Sequence, residues 1–188
     1  EMAETATALA EGGDIAKIVR ESGSVINYSQ LPVSRSFFPA DIAANLDSMS
    51  AGQMKAPYYN AGDNTMNIIK FFAKVSAPDS VELRQIQVAG ADMTAIQKTA
   101  DSIMTALNSG VAFDSIAKKY NQTGEKTWLT SRNYEGATMD AQNLDFIKTV
   151  TNMPVNTTKK IDFTQGCIIV QVTDRRAMID KYDVAVVK

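Results

Sequence analysis

A chain of 188 residues that is 45% hydrophobic and 21% charged has the composition of a folded globular protein, with no acidic or Pro-rich tract that would argue for disorder. A net charge of −2 and a pI near 5.2 leave no cationic surface for a phosphate backbone, so nucleic acid is excluded as the expected partner. With no histidine and a single cysteine, Cys167, the chain excludes imidazole catalysis, His-ligated metals, thiolate clusters and an internal disulfide; no metal and no cofactor is expected.

The first predicted elements are two helices. Met2 and Leu9 fall at helix-core spacing ahead of Gly12, and Ile15, Ile18 and Val19 repeat that spacing in a shorter segment. Tyr58-Tyr59 before Asn60-Ala61-Gly62-Asp63 predicts a strand, a turn and a second strand through Asn67-Ile68-Ile69-Lys70. Pro78-Asp79 then bounds a strand over Val81 to Val88. A long helix follows, carrying Met93, Ile96, Ala100, Ile103, Met104 and Leu107 and ending at Gly110, where a left-handed residue suits the cap. Phe113, Ile116, Ala117 and Tyr120 mark a short helix. A loop with Trp128 leads to a helix around Asp140 to Val150, closed by Met153-Pro154, and two strands, Thr158 to Phe163 and Cys167 to Thr173, flank a Gln165-Gly166 turn. The last run, Tyr182 to Val187, is β-branched and apolar and is expected to pair with a segment outside this chain.

The chain also matches itself. Thr7-Ala8-Leu9-Ala10-Glu11-Gly12 lies over Thr105-Ala106-Leu107-Asn108-Ser109-Gly110 at an offset of about 98, with Ile15 on Phe113, Ile18 on Ile116 and Leu31 on Leu129. Later the offset grows to about 101, and Asn67-Ile68-Ile69-Lys70 lies over Ile168-Ile169-Val170-Gln171. A period near 100 predicts a duplicated domain of α+β class. The expected division is a first unit over 1–77 that lacks its opening strand, a second over 78–178, and a strand over 179–188 leading to an absent domain. The sequence begins at Glu1 and stops just after a strand-like run, as expected of a piece of a longer protein. Its longest apolar stretches fall far short of the ~20 residues of a membrane span, so this piece is expected to make no membrane contact.

The second unit resembles a parvulin-type prolyl isomerase domain, of FKBP-like topology. Arg84-Gln85-Ile86 is similar to that family's opening Arg-His-Ile strand, and Gly124-Glu125-Lys126-Thr127-Trp128-Leu129 to its Gly-Asp-Leu-Gly-Trp-Phe loop. Gly110-x-x-Phe113, Ala117-x-x-Tyr120 and the closing Gly166-Cys167-Ile168-Ile169 complete the likeness, which the internal repeat extends more weakly to the first unit. Tandem units of this kind resemble the SurA and PpiD type of bacterial folding factor. The resemblance implies a periplasmic protein, membrane-anchored in some full-length relatives, whose partners are unfolded or partly folded polypeptides.

Residue by residue, the family's active-site positions fall on Gln85, Lys126, Met139, Leu144 and Ile168, and its two histidines become Gln85 and Ile168. Gln85 can still donate a hydrogen bond, and Met139 keeps an apolar wall, but Ile168 cannot stand in for an imidazole. Trp128, Leu129 and Met139 are the candidate peptide-binding residues, with a loop anchor as the competing role for Trp128. Cys167 has no cationic neighbour in its apolar run and is expected to be inert. The resemblance therefore implies a peptide-binding chaperone or scaffold module with little or no isomerase activity. An active isomerase using Gln85 and Met139, or a structural spacer, are the alternatives.

Overall fold

The computed structural model describes all 188 residues. In chain order these form α1 (Met2–Glu11), α2 (Ile15–Glu21), β1 (Val33–Ser34), α3 (Ala40–Leu46), β2 (Met54–Asn60), β3 (Thr65–Ala89), α4 (Met93–Asn108), α5 (Phe113–Lys119), β4 (Thr127–Thr130), α6 (Ser131–Tyr134), α7 (Ala141–Asn152), β5 (Thr157–Phe163) and β6 (Gly166–Val187). Helix starts follow local chemistry, because short acceptors sit where the first N–H groups lack partners. Asp14 accepts from Lys17 N, Asp92 from Thr94 N and Asp140 from Asn143 N. Gly110, at φ 95°, follows the end of α4 as its spacing predicts. No helix is long and apolar enough to cross a membrane.

The chain divides into two compact units. Unit 1 comprises Glu1–Ala77, Ser131–Thr138 and Met178–Lys188; unit 2 comprises Pro78–Thr130 and Met139–Ala177. Both β3 and β6 contribute one stretch to each.

In unit 2 the strands are ordered β5-β6-β3-β4. Val81 pairs with Leu129 across β3 and β4, and Ile161 pairs with Ile168 across β5 and β6. Alternation sends side chains to two faces. On one face Ile86, Val88, Cys167 and Ile169 pack against Ile96, Ala100 and Ile103 of α4 and Phe113, Ile116 and Ala117 of α5. On the other, Val81, Leu83, Ile161, Val170 and Val172 pack against Val150 of α7 and Met153, with Leu129, Phe146, Phe163 and Ile168 partly buried beside them. Close strand approach fixes Gly166, where a Cβ would lie 2.3 Å from the carbonyl oxygen of Val88.

Unit 1 has the order β2-β3-β6-β1. Ile68, Ala185 and Val187 face Ala6 and Leu9 of α1 and Val19 of α2. Ile69, Phe71, Tyr182, Val184 and Val186 face Ile42, Ala43 and Leu46 of α3.

Two expectations need correction here. The terminal run finds its partner within this chain and not in a segment outside it: β6 pairs with β1 through Val33↔Tyr182 and Ser34↔Lys181, and residues 181–187 are buried except Asp183. It therefore takes an inner position of the unit 1 sheet, between β3 and β1, which explains why its side chains are apolar on both faces. The units are not contiguous segments over 1–77 and 78–178, since 131–138 and 178–188 belong to unit 1.

The inserted segment 131–138 is held by a buried ion pair. Glu135 and Lys181, with side chains 7% and 4% exposed, approach to 3.3 Å. The Glu135 carboxylate also accepts from Ser34 N at 2.9 Å and Ser34 Oγ at 2.6 Å, while Lys181 Nζ donates to Tyr134 Oη at 2.7 Å. Desolvating both charges is tolerable because nearly every donor and acceptor is matched.

Candidate functional site

In unit 2 the turn of the β5–β6 hairpin, the end of β3 and the first turn of α7 enclose a groove of about 400 Å³. Gln87, Gln142, Phe163, Thr164, Gln165 and Ile168 line it with the backbone of Gly166 and Cys167. Phe163 is steadied by Phe146 of α7, ring centroids 6.3 Å apart. Gln142 is not free to meet a ligand: its Oε1 accepts from Thr164 N at 3.1 Å and its Nε2 bonds the Thr164 hydroxyl. Beyond the end of β4, Gln122 serves β3 in the manner of a neighbouring strand. Its Oε1 accepts from Gln87 N at 2.8 Å and its Nε2 donates to Gln87 O at 2.7 Å. The short Asn121-Gln122-Thr123 segment thus satisfies a strand edge, and no acidic or thiol group enters the groove from it.

Of the residues nominated from sequence, Ile168 lines this groove. Gln85 is half-buried on β3 two positions before Gln87, and strand alternation puts both on the α7 face. Leu129 and Leu144 are half-buried, Leu129 against the α7-side core; Met139 is half-buried at the start of unit 2's last segment; Lys126 is exposed. Trp128 pairs with Glu82, one residue out of phase with Leu129, and therefore points to the opposite face of the sheet. There the Arg176 guanidinium stacks 4.2 Å above its ring, so Trp128 and Leu129 do not line one groove. Gln87, Phe163 and Gln142 escaped the sequence reading. The two-residue strand period applied to Gln85 points to Gln87, but nothing local marks Phe163, which is brought in by the hairpin register.

Cys167 is buried, and burial pushes its thiol above the ordinary value, consistent with an inert side chain. The polar side chains at the groove that no internal bond occupies are both amides, Gln87 and Gln165. Rotating a prolyl peptide bond requires lowering a barrier of about 18–20 kcal/mol with no covalent bond broken, and that needs groups that favour the twisted amide over the planar one. A wall of Phe163 and Ile168 can hold an apolar ring. Neither places a charge-stabilising group against the amide.

In unit 1 the β2–β3 hairpin is closed by charge. Lys188 Nζ lies 2.7 Å from Asp41 Oδ2 and 2.6 Å from Asp63 Oδ2, and Asn60 Nδ2 donates to Asp41 Oδ2 at 3.0 Å. The hydrogen bond from Lys188 is the main cause holding both carboxyls below the ordinary 3.8. Asn67, fully buried, donates to Thr65 Oγ1 at 2.9 Å, and Thr65 in turn donates to Asp63. Its own Oδ1 has no partner.

Comparison with known proteins follows the same frame. Residues 66–176, more than half of the chain, match the family model described as the PPIC-type PPIase domain. Among solved structures, the chain is similar to PrsA from Bacillus subtilis: 23% identity and a TM-score of 0.40, covering 53% of this chain and 36% of that one. The chain thus spans little more than a third of that structure's length. No curated protein matches it. With a mixed α and antiparallel β fold and a family match running across β3, α4, α5, β4, α6, α7, β5 and the first half of β6, the chain belongs to the PPIC-type, or parvulin, peptidyl-prolyl isomerase domain family.

Proposed function

We propose that this chain is part of a periplasmic folding factor of the SurA and PpiD type, whose unit 2 groove holds segments of unfolded polypeptide while accelerating prolyl isomerisation weakly or not at all. The observation that carries this reading is the groove's lining: Phe163 and Ile168 offer apolar walls, Gln87 offers an amide, and Gln85 and Ile168 stand where the family has imidazoles. Binding can outlast catalysis because grip needs only apolar area and backbone hydrogen bonds, whereas rate needs differential stabilisation of the twisted amide.

The reading is tested by titrating the isotope-labelled chain with an unfolded outer-membrane-protein segment. Shifts at Gln87, Phe163 and Ile168 are expected. Shifts absent from all three at millimolar peptide would transfer the role to a structural spacer.

A specific observation favours a scaffold role for unit 1. Its strand order β2-β3-β6-β1 matches β5-β6-β3-β4 in unit 2, with a helix pair on one face and a single helix on the other in each. We read the two as copies of one ancestral domain, as the internal sequence match suggests. The Asp41–Lys188–Asp63 cluster fills the place where unit 2 has its groove.

A further inference from the structure

Unit 2 has a second cavity, on the sheet face that carries α4 and α5. It measures about 520 Å³ and is lined mainly by polar groups, among them Arg84, Asn108, Asn156, Thr158 and Gln171, with Phe113 behind them. Thr158 and Gln171 are cross-strand partners on β5 and β6. Arg84 reaches the cavity from β3. Its guanidinium stacks 4.6 Å from the Phe113 ring centre, and its Nε donates to Gly124 O at 3.1 Å. Those two contacts fix the plane of the fork and leave its terminal Nη groups without an acceptor. No carboxylate pairs with it: Asp114, also in the cavity wall, accepts from Ser115 N and makes no ion pair with the arginine.

The fold does not require a cation here. In unit 1 the strand face turned toward α1 and α2 is completed by Ala185 and Val187, both buried. A half-buried guanidinium, immobilised by a ring and a carbonyl and opening onto amide and hydroxyl donors, has the chemistry for a planar anion, because the fork matches carboxylate geometry with two parallel hydrogen bonds.

We propose that this cavity is a carboxylate-binding site in which Arg84 is the anchor and Asn156, Thr158 and Gln171 are the neutral donors. The ligand is a carboxylate on a small or flexible molecule, either the free end of a polypeptide or a small organic acid. The site is independent of the groove between β3, the β5–β6 turn and α7, and its reporters differ from that groove's.

The test is a side-chain-detected NMR titration of the whole chain with N-acetyl-Ala-Ala as the free acid, the same peptide amidated, an amidated peptide carrying Asp, and acetate. The free acid is expected to shift Arg84 Nε–Hε and the Asn156 and Gln171 amides and to bind at least about tenfold more tightly than the amide, as a charge-assisted bidentate contact requires. Arg84→Gln should abolish that preference. Gln171→Leu, which leaves the Arg84 stack intact, should weaken it and serves if the first variant does not fold. Binding of the peptide acid above acetate and the Asp peptide assigns the site to chain ends; equal binding of acetate assigns it to small acids. Equal affinity for acid and amide, or shifts confined to other residues, would overturn the proposal.

Discussion

The carboxylate of Glu135 accepts from Ser34 N and Ser34 Oγ and forms an ion pair with Lys181 Nζ in a site where both charged side chains are nearly sealed from water. Removing one charge of such a pair strands the other, so Glu135→Ala is expected to destabilise unit 1 by about 3–5 kcal/mol, read as a fall in the urea midpoint. Replacing both partners, as Glu135→Leu with Lys181→Met, should cost far less, because no ion is then left buried. Glycine constraints are equally local. Gly124 sits at φ 65°, and a Cβ there would lie 3.1 Å from Ala117 Cβ and 3.2 Å from Phe113 Cδ1. Gly124→Ala should therefore cost about 1–3 kcal/mol from strain and crowding together, measurable by the same unfolding experiment. The hairpin cluster of unit 1 responds to pH with a definite sign. Asp41 and Asp63 have lowered values in the folded chain, so their contribution is present above the ordinary value near 4 and is lost as pH falls through the folded values. Amide exchange at residues 60–66 should accelerate below about pH 4, and Lys188→Met should remove that dependence.

At the scale of elements, α1, α2, α4, α5, α7 and most strands were legible because periodicity and caps are local signals. Asp14, Asp92, Asp140 and Gly110 stand where chain chemistry puts helix ends, and the Gln165-Gly166 turn separates β5 from β6 as spacing predicts. The partner of the last strand was not legible. The apolar run from Tyr182 to Val187 announces a strand buried on both faces, but alternation does not say against what. In the structure it is an inner strand of unit 1, nearly 150 residues after β1, with which it pairs. Deleting Met178–Lys188 is therefore expected to abolish amide protection throughout α1, α2 and α3 while unit 2 amides in α4 and α5 remain protected, as hydrogen exchange would record. Unaltered protection in α1 would contradict the assignment of this strand. The segment 131–138 was missed for a related reason: Ser131 to Tyr134 carries no helical periodicity, and it is held by the tertiary contacts of Tyr134 and Glu135 with Lys181 and Ser34.

For the molecule as a whole, the sequence disclosed the family frame and the loss of its imidazoles but only part of the site. Ile168 was placed in the groove by motif alone, whereas Gln87 and Phe163 arrive through strand register and hairpin geometry, and Trp128 turned out to face the other way. The frame persists because its core positions are satisfied by size and hydrophobicity, requirements that tolerate substitution. Catalytic positions have no such latitude. The most direct test of this account is two-dimensional exchange NMR of a short X-Pro peptide with the chain present at concentrations where Gln87 and Ile168 report binding. The account predicts bound peptide whose cis–trans interconversion stays on the uncatalysed scale of roughly tens to hundreds of seconds. Exchange accelerated to seconds or faster in a manner abolished by Met139→Ala would contradict it.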